Sequence, residues 1–259
     1  MDRDQPIGVF DSGVGGLSVL RALRAELPHE DFVYFSDAGH APYGERGDAF
    51  VTERSLAIVV DLLAQHRIKG LVIACNTATA AAVHRVRETA TDLPVVGVEP
   101  ALKPAAALTK TGHVAVLATR GTLASSKFKA LHDALRGRAE FVLQPCDGLA
   151  AAIEADDQAR IRALVRRYTT EVCCFGTAPG EIDTLVLGCT HYPFASEYFR
   201  EVLGPEIQLV ETGEPVARQT RRLLEAQGLI NPAGAGAVHW ETTGEPQALR
   251  AAASRWLGL

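Results

Sequence analysis

Short apolar runs rich in β-branched residues alternate along the chain with longer amphipathic stretches. Eight of the short runs have the length of β-strands. Several of them are hydrophobic throughout, as is typical of strands buried on both faces of a parallel sheet. The predicted strands cover residues 6–10, 31–35, 70–74, 94–98, 113–118, 140–143, 184–188 and 207–210.

The longer stretches carry the period of an amphipathic helix. Leu20, Leu23 and Leu27 fall at i, i+3 and i+7, which places them on one helix face, and Val51 and Ile58 follow the same pattern. Further helices are predicted for residues 78–89, 123–135, 156–174, 197–203, 215–227 and 246–256. Strands that alternate with helices in this way predict an α/β fold with right-handed crossovers.

The chain also contains a short internal echo. Residues 71–77 (LVIACNT) match residues 185–191 (LVLGCTH), and residues 9–13 (VFDSG) correspond to residues 116–120 (VLATR). The similar spacing of the two matches predicts two related α/β halves that face each other. A chance resemblance between two short α/β turns is the alternative interpretation.

Composition and charge exclude several classes of protein. With 47% hydrophobic and 22% charged residues, the 259-residue chain has the composition of a globular protein rather than a disordered one. The net charge of −5 leaves no basic excess for a phosphate backbone, so we expect no nucleic acid as primary partner. Five cysteines without regular spacing, no secretory leader and no apolar run of transmembrane length predict a cytoplasmic protein with reduced thiols.

Polar residues cluster where the predicted strands end. Ligands of α/β sheets bind at the carboxyl ends of strands. The segments concerned are residues 11–13 (DSG), 75–77 (CNT), 119–122 (TRGT) and 189–191 (CTH), with the loop 37–44 after the second strand. Residues 13–16 (GVGG) lack the spacing of a nucleotide-binding glycine loop, and we expect their backbone N–H groups to hold a small anion such as a carboxylate.

Cys75 and Cys189 are the strongest chemical candidates. Either one alone is typical of a small buried hydrophobic residue. However, both end a strand, both precede hydrogen-bonding side chains, and His191 stands two residues after Cys189. Two opposed thiols suit the inversion of a carbon that bears an acidic hydrogen. One thiolate removes the proton from one face, the other thiol returns a proton to the opposite face, and no cofactor is needed.

Other chemistries fit the sequence less well. Cys189 and His191 are too close for a usual zinc ligand pair and no C-x-x-C occurs, so we predict no metal at the site. No lysine stands at the carboxyl end of a predicted strand, which disfavours a pyridoxal enzyme. A hydrolase with one cysteine nucleophile leaves the echo unexplained. Cys173 and Cys174 lie inside a predicted helix and are interpreted as packing residues.

Taken in order, these motifs resemble those of the bacterial glutamate racemases in the aspartate/glutamate racemase family. The resemblance rests on residues 7–17 (IGVFDSGVGGL), 75–78 (CNTA) and 188–193 (GCTHYP), with Asp37 and residues 41–44 (APYG) similar to the family's loop after the second strand. It runs nearly end to end. The chain departs from the family pattern at residues 146–148, at Ala118 and at Glu211.

The resemblance implies that Cys75 and Cys189 are the two proton donors and acceptors, Cys75 for the D-enantiomer and Cys189 for the L-enantiomer. Asp11 then assists Cys75, His191 assists Cys189, and Glu154 supports His191. The implied substrate-binding positions are Asp11, Ser12, Pro42, Tyr43, Gly44, Asn76, Thr77, Thr119, Thr122, Thr190 and His191. For the threonines at 119 and 122, helix capping is an equally good interpretation.

The implied function is cofactor-independent conversion of L-glutamate to D-glutamate for peptidoglycan synthesis, with glutamate as the small-molecule partner. Together with the echo, the resemblance predicts discontinuous domains, 1–97 plus 207–259 and 98–206, packed face to face with the active site at their interface. Two alternatives stay open: an aspartate racemase of the same family, and a small-acid binding protein that has lost turnover. A homodimer is compatible with the sequence, and no membrane contact is expected.

Overall fold

A computed structural model of the protein describes residues 2–259. The chain forms two compact units, one built from the segment up to Val98 together with Gly213–Leu259, and the other from Glu99–Thr212. Each unit contains one parallel sheet and the helices that connect its strands. The predicted α/β fold class is therefore confirmed.

Strands and helices alternate through most of the chain. The strands are β1 (Ile7–Asp11), β2 (Phe32–Ser36), β3 (Gly70–Ile73), β4 (Val95–Gly97), β5 (His113–Ala118), β6 (Glu140–Pro145), β7 (Thr184–Leu187), β8 (Gln208–Val210) and β9 (Val238–Thr242). The helices are α1 (Leu17–Glu26), α2 (Asp48–His66), α3 (Asn76–Thr89), α4 (Leu102–Leu108), α5 (Arg120–Ala124), α6 (Ser126–Asp133), α7 (Leu149–Glu154), α8 (Gln158–Val172), α9 (Ser196–Leu203), α10 (Gly213–Ala226) and α11 (Pro246–Leu257). Within residues 2–259, no helix is both long enough and apolar enough to traverse a lipid bilayer.

The sheet of the first unit has the order β4-β3-β1-β2-β9, and every neighbouring pair is parallel. All of β1 is buried, which explains why its apolar run is uninterrupted. Leu20 and Leu23 of α1 are fully buried, and α1 packs against α10, which the late part of the chain supplies. The late segment therefore completes the core of the first unit.

The sheet of the second unit has the order β6-β5-β7-β8 and is also parallel throughout. Read in the opposite direction it is β8-β7-β5-β6, the same succession as β4-β3-β1-β2 in the first unit. Strands β1 and β5 thus hold equivalent positions, as do β3 and β7. The sequence echo falls on these two pairs of strands, so it reflects a shared topology rather than chance.

The only described lysine of the first unit lies away from the carboxyl ends of its strands. Lys69 directly precedes β3 and is fully buried in an ion pair with Glu30. The other carboxylate oxygen of Glu30 accepts a hydrogen bond from the backbone N–H of Asn231 at 2.8 Å. This amine is therefore committed to a structural pair at the amino end of the sheet.

The structure differs from the sequence-based expectations in several elements. β9 was not predicted, because its five residues are polar or only partly buried and it lies at the edge of the sheet. The predicted helix 123–135 is two helices, since Ser125 has an extended backbone conformation and its hydroxyl caps α6 at the Phe128 N–H. The packing role predicted for Cys173 and Cys174 is wrong. α8 ends at Val172, and both cysteines are exposed with positive φ.

The return of the chain to the first unit also comes later than expected. The sequence placed it at residue 207, but β8 pairs with β7 and so belongs to the second sheet. The first unit resumes at Gly213, where α10 begins. A Cβ at Gly213 would lie 3.0 Å from the Cβ of Ala22 and 3.2 Å from the Ser18 carbonyl oxygen, so a side chain here would press against α1.

Candidate active site

Each sheet has a point where the order of its strands reverses. In the first unit, β2 follows β1 on one side and β3 lies on the other; in the second unit, β6 and β7 flank β5 in the same way. In open α/β sheets such reversals create a crevice at the carboxyl ends of the two central strands, and ligands bind there. The residues that follow β1, β3, β5 and β7 are therefore the ones placed for chemistry.

Asp11 is the last residue of β1 and is fully buried. Its Oδ2 atom accepts hydrogen bonds from the backbone N–H groups of Gly13, at 3.3 Å, and Gly16, at 2.8 Å. The glycine turn was expected to bind an external carboxylate, but these two amides hold the carboxylate of Asp11 instead. A Cβ at Gly16 would lie 2.6 Å from the Cβ of Asp11, so only glycine permits this approach.

Cys75 connects β3 to α3 and is the N-cap residue of that helix. Its sulfur accepts a hydrogen bond from the Ala78 N–H at 3.5 Å, and the Ser12 hydroxyl lies 3.6 Å away. The positive end of the α3 dipole therefore points at a buried sulfur, an arrangement that stabilises a thiolate. The next residue, Asn76, has both side-chain polar atoms buried without a hydrogen-bond partner among residues 2–259, as expected of a group that binds a ligand.

Tyr43 belongs to a hydrogen-bond network centred on Asp37, which directly follows β2. The Tyr43 hydroxyl donates to Asp37 Oδ2 at 2.5 Å, and Arg54, His40 and Thr243 contact the same carboxylate at 2.8–3.1 Å. Burial alone would raise the pKa of Asp37, but hydrogen bonds led by that from Arg54 outweigh burial and lower it. Burial and the neighbouring carboxylate raise the pKa of Tyr43, which therefore stays a neutral phenol.

Cys189 follows β7 in the second unit, after Gly188. Its sulfur lies 3.7 Å from His191 Nδ1, and the other ring nitrogen of His191 lies 2.6 Å from the carboxylate of Glu154 at the end of α7. A thiol, an imidazole and a carboxylate thus form a continuous chain of contacts. Such a carboxylate orients the ring and stabilises its protonated form.

The protonation of His191 follows from these contacts. Burial by itself lowers the pKa of His191, but the hydrogen bonds with Cys189 and Glu154 outweigh burial and raise the pKa well above its ordinary value. The imidazole next to the Cys189 sulfur is therefore held in its protonated, positively charged form. The geometry thus places a cation 3.7 Å from the Cys189 sulfur.

Of the two threonines after β5, Thr119 performs the capping role that the sequence allowed, whereas the Thr122 side chain accepts a hydrogen bond from Thr119. Thr119 is the N-cap residue of α5; its Oγ1 accepts from the Thr122 N–H at 3.2 Å and donates to the Thr122 hydroxyl at 2.9 Å. Cys146 is buried beside this segment, and burial above all raises the pKa of its thiol. Cys146 is therefore held as a neutral thiol, and its sulfur donates to the Gln144 carbonyl at 3.5 Å.

The remaining predicted binding positions differ in exposure. Thr190 is buried next to Cys189 and Thr77 is half-buried, whereas Pro42 and Gly44 are exposed on either side of the buried Tyr43. Reasoning from sequence missed Arg54 and Thr243, which fix Asp37. No local signal could have found them, because Thr243 meets Asp37 across 206 residues of chain.

Comparison with known proteins shows the family to which the chain is related. Residues 8–220 match the family model described as Asp/Glu/Hydantoin racemase. A glutamate racemase of Ectopseudomonas mendocina is 46% identical over 261 residues, covering 100% of this chain and 97% of that protein.

Solved structures give the same result. The Escherichia coli glutamate racemase in complex with L-glutamate and the activator UDP-MurNAc-Ala superposes with a TM-score of 0.82 at 33% identity, covering 97% of this chain and 95% of that one. The Thermus thermophilus glutamate racemase in complex with β-chloro-D-alanine has a TM-score of 0.79 at 37% identity, covering 100% and 95%.

The chain therefore belongs to the aspartate/glutamate/hydantoin racemase family. Its relatives within that family at 44–48% identity are glutamate racemases, and the chain is an enzyme of the racemase class.

Proposed function

We propose that this enzyme interconverts L- and D-glutamate by a two-base mechanism in which Cys75 and Cys189 act on opposite faces of the α-carbon. The observation that carries the proposal is the chain of contacts from Cys189 through His191 to Glu154, at a strand end equivalent to the one that carries Cys75. The names of the related proteins supply glutamate as the substrate.

The proposed reaction begins with one cysteine as thiolate and the other as thiol. The thiolate takes the α-proton from one face, and the electron pair of the broken C–H bond is delocalised into the substrate carboxylate. The other thiol then delivers its proton to the opposite face. The product is the mirror image, the two sulfurs have exchanged protonation states, and no external oxidant, reductant or base is consumed.

The two cysteines are supported differently. Cys75 lies at the N-terminus of α3 with Ser12 beside it, so backbone dipoles favour its thiolate. Cys189 relies on the imidazolium of His191, which Glu154 holds. We assign Asp11 to the Cys75 side, because it ends the strand next to β3 and is fixed by two backbone N–H groups.

We assign substrate binding to polar groups near the strand ends. Asn76 offers a buried donor and a buried acceptor, and Thr190 is a buried hydroxyl residue next to Cys189. Tyr43 is held as a neutral phenol by Asp37 and is proposed to shape the site rather than to exchange protons. Thr122 is proposed to bind the substrate carboxylate through its buried side chain.

We further propose that the D-glutamate formed is used for peptidoglycan synthesis in the cytoplasm. The free cysteines support this location, since both active-site sulfurs must stay reduced and the cytoplasm is a reducing compartment.

Exchange of the α-proton tests the proposal directly. Incubated in D₂O, the enzyme should place deuterium at the α-carbon of L- and D-glutamate and interconvert them, because each half-reaction draws on a solvent-exchangeable thiol. Proton NMR and chiral chromatography measure both events. Aspartate is the matched control. Faster exchange of aspartate would make the enzyme an aspartate racemase, and tight glutamate binding without exchange would make it a binding protein.

Independence of cofactors is a second prediction. Two thiols suffice for the proposed proton transfers, so racemisation should survive dialysis against a chelator and treatment with a carbonyl reagent. Alkylation of the thiols by iodoacetamide should abolish it, and glutamate should slow that loss. A fall in activity with EDTA that zinc restores would contradict this mechanism.

A further inference from the structure

A cluster of two imidazoles and one carboxylate lies on the first unit. His239 and Glu241 alternate along β9 and so project from the same face of that strand. Trp240 points to the opposite face, where its ring packs against Tyr34 with a centroid distance of 5.7 Å. His66, the last residue of α2, completes the cluster.

The three side chains converge on one point. Glu241 Oε1 lies 2.7 Å from His66 Nε2 and 3.4 Å from His239 Nε2. One ligand atom from each residue lies within 4.8 Å of the other two. The ligand atoms of a tetrahedral zinc ion, each about 2.0–2.2 Å from the metal, are separated by roughly 3.3 Å. Small rotations of these side chains would therefore bring all three atoms to coordinating distance.

Exposure and charge suit an ion that enters from solvent. The side chains of His66 and Glu241 are 19% and 25% exposed, while that of His239 is 61% exposed. The side chains of His66 and Glu241 are thus largely enclosed by the surrounding structure, whereas that of His239 is accessible to solvent. As metal ligands, two imidazoles and one carboxylate contribute a charge of −1, which a divalent cation more than neutralises. A water molecule can occupy the fourth coordination position of a tetrahedral ion.

We propose that His66, His239 and Glu241 form a binding site for one divalent ion of the zinc, cobalt or nickel type. Imidazole ligands favour these ions over magnesium and calcium, which prefer an all-oxygen shell. The site is separate from the two cysteines, and the racemisation proposed above does not use it.

The position of the site indicates what a bound ion does. β9 lies at the edge of its sheet and pairs with β2, and α2 belongs to the early part of the chain. His66 and Glu241 are 175 residues apart in sequence. An ion that bridges them fastens the late strand to the early helix, and binding to the folded state alone stabilises that state by mass action.

Cobalt(II) titration of the tag-free, full-length protein tests the site. Cys173→Ser and Cys174→Ser are introduced first, because these exposed adjacent thiols would also bind cobalt. We expect cobalt to bind saturably and to show the visible spectrum of an ion with nitrogen and oxygen ligands. Added zinc should displace the bound cobalt. His239→Ala should weaken this binding by at least about 100-fold, since loss of a direct ligand costs no less than loss of the groups that orient it.

Thermal unfolding gives an independent readout. Zinc at about one hundred times its Kd should raise the midpoint of unfolding by about 5 °C, and His239→Ala should remove this rise. The matched control is His113→Ala. His113 also faces a carboxylate, that of Glu140 at 3.3 Å, but among the described residues this pair belongs to no group of three possible metal ligands. Racemisation should be unchanged in both variants.

Three results would overturn the proposal. The first is the absence of saturable cobalt binding, and the second is equal cobalt binding by His239→Ala and its parent. The third is a thiolate-to-cobalt absorption band in the parent that disappears in His239→Ala, because the lost ion would then have a cysteine ligand. The exposure of His239 makes its substitution compatible with folding, and circular dichroism verifies this.

Discussion

Replacing either Cys75 or Cys189 by serine is expected to reduce racemisation by about 10³-fold or more, the upper part of the range for a general acid–base group. In the proposed mechanism, each full turnover needs one sulfur to remove a proton and the other to return one. A serine hydroxyl is a far weaker acid than a thiol, so it neither supplies the base at neutral pH nor returns a proton efficiently. Chiral chromatography of the glutamate enantiomers measures the loss.

A one-sided reaction distinguishes the two variants. With β-chloroalanine, removal of the α-proton breaks the C–Cl bond and releases chloride, so no proton has to return to the opposite face. Cys75→Ser keeps Cys189 and should retain elimination from the L-enantiomer. Cys189→Ser keeps Cys75 and should retain elimination from the D-enantiomer, which is also the ligand bound by the Thermus thermophilus relative.

The control for both variants is Cys173→Ser, an exposed cysteine that should leave both reactions unchanged. Equal loss of elimination from both enantiomers in both variants would show that the thiols are structural. Retention of racemisation by either variant would show that a single base serves both faces.

Replacing His191 by alanine should reduce the step assigned to Cys189 by about 10²-fold, because the sulfur loses the neighbouring cation on which the proposed mechanism relies. Elimination from L-β-chloroalanine should fall by this factor. Elimination from the D-enantiomer, which the proposed mechanism assigns to Cys75, should change little, since the contacts of the Cys75 sulfur with Ser12 and the N-terminus of α3 do not involve His191. The quantity to measure is the ratio of the elimination rates from L- and D-β-chloroalanine, in the variant and in the parent enzyme.

Glu154→Gln should act on the pH profile of the same step. The carboxylate helps to raise the pKa of His191, so its loss lets that pKa fall. The imidazolium then disappears at a lower pH, and the alkaline limb of the Cys189-dependent rate should move to lower pH. The D-enantiomer should show no comparable movement.

Glu140→Gln is the matched control for this change, because it removes a carboxylate from another histidine of the same unit, His113 at the amino end of β5. Its pH profile should match that of the parent enzyme. An equal shift of the alkaline limb for both enantiomers in Glu154→Gln would contradict the assignment of His191 to Cys189.

Much of the fold could be predicted because the central strands β1, β3, β5 and β7 are buried on both faces. Strands such as β1 and β7 are short, uninterrupted apolar runs, and burial in a parallel sheet requires that pattern. β9 lacks it, because an edge strand is only partly buried and tolerates His239 and Glu241. The residue at which the second unit ends could not be predicted from the sequence either, since the pairing of β8 with β7 is a long-range contact.

The sequence by itself determined which residues follow the central strands, and so selected Cys75, Cys189, Asp11 and His191 as candidate site residues. Position relative to a strand end is a local property, and the chemistry of a thiol next to an imidazole follows from the residues alone. Tertiary structure decided which carboxylate the glycine turn holds, and which side chains fix Asp37. It also decided that His66 meets Glu241, because contacts between residues far apart in sequence depend on how the whole unit packs.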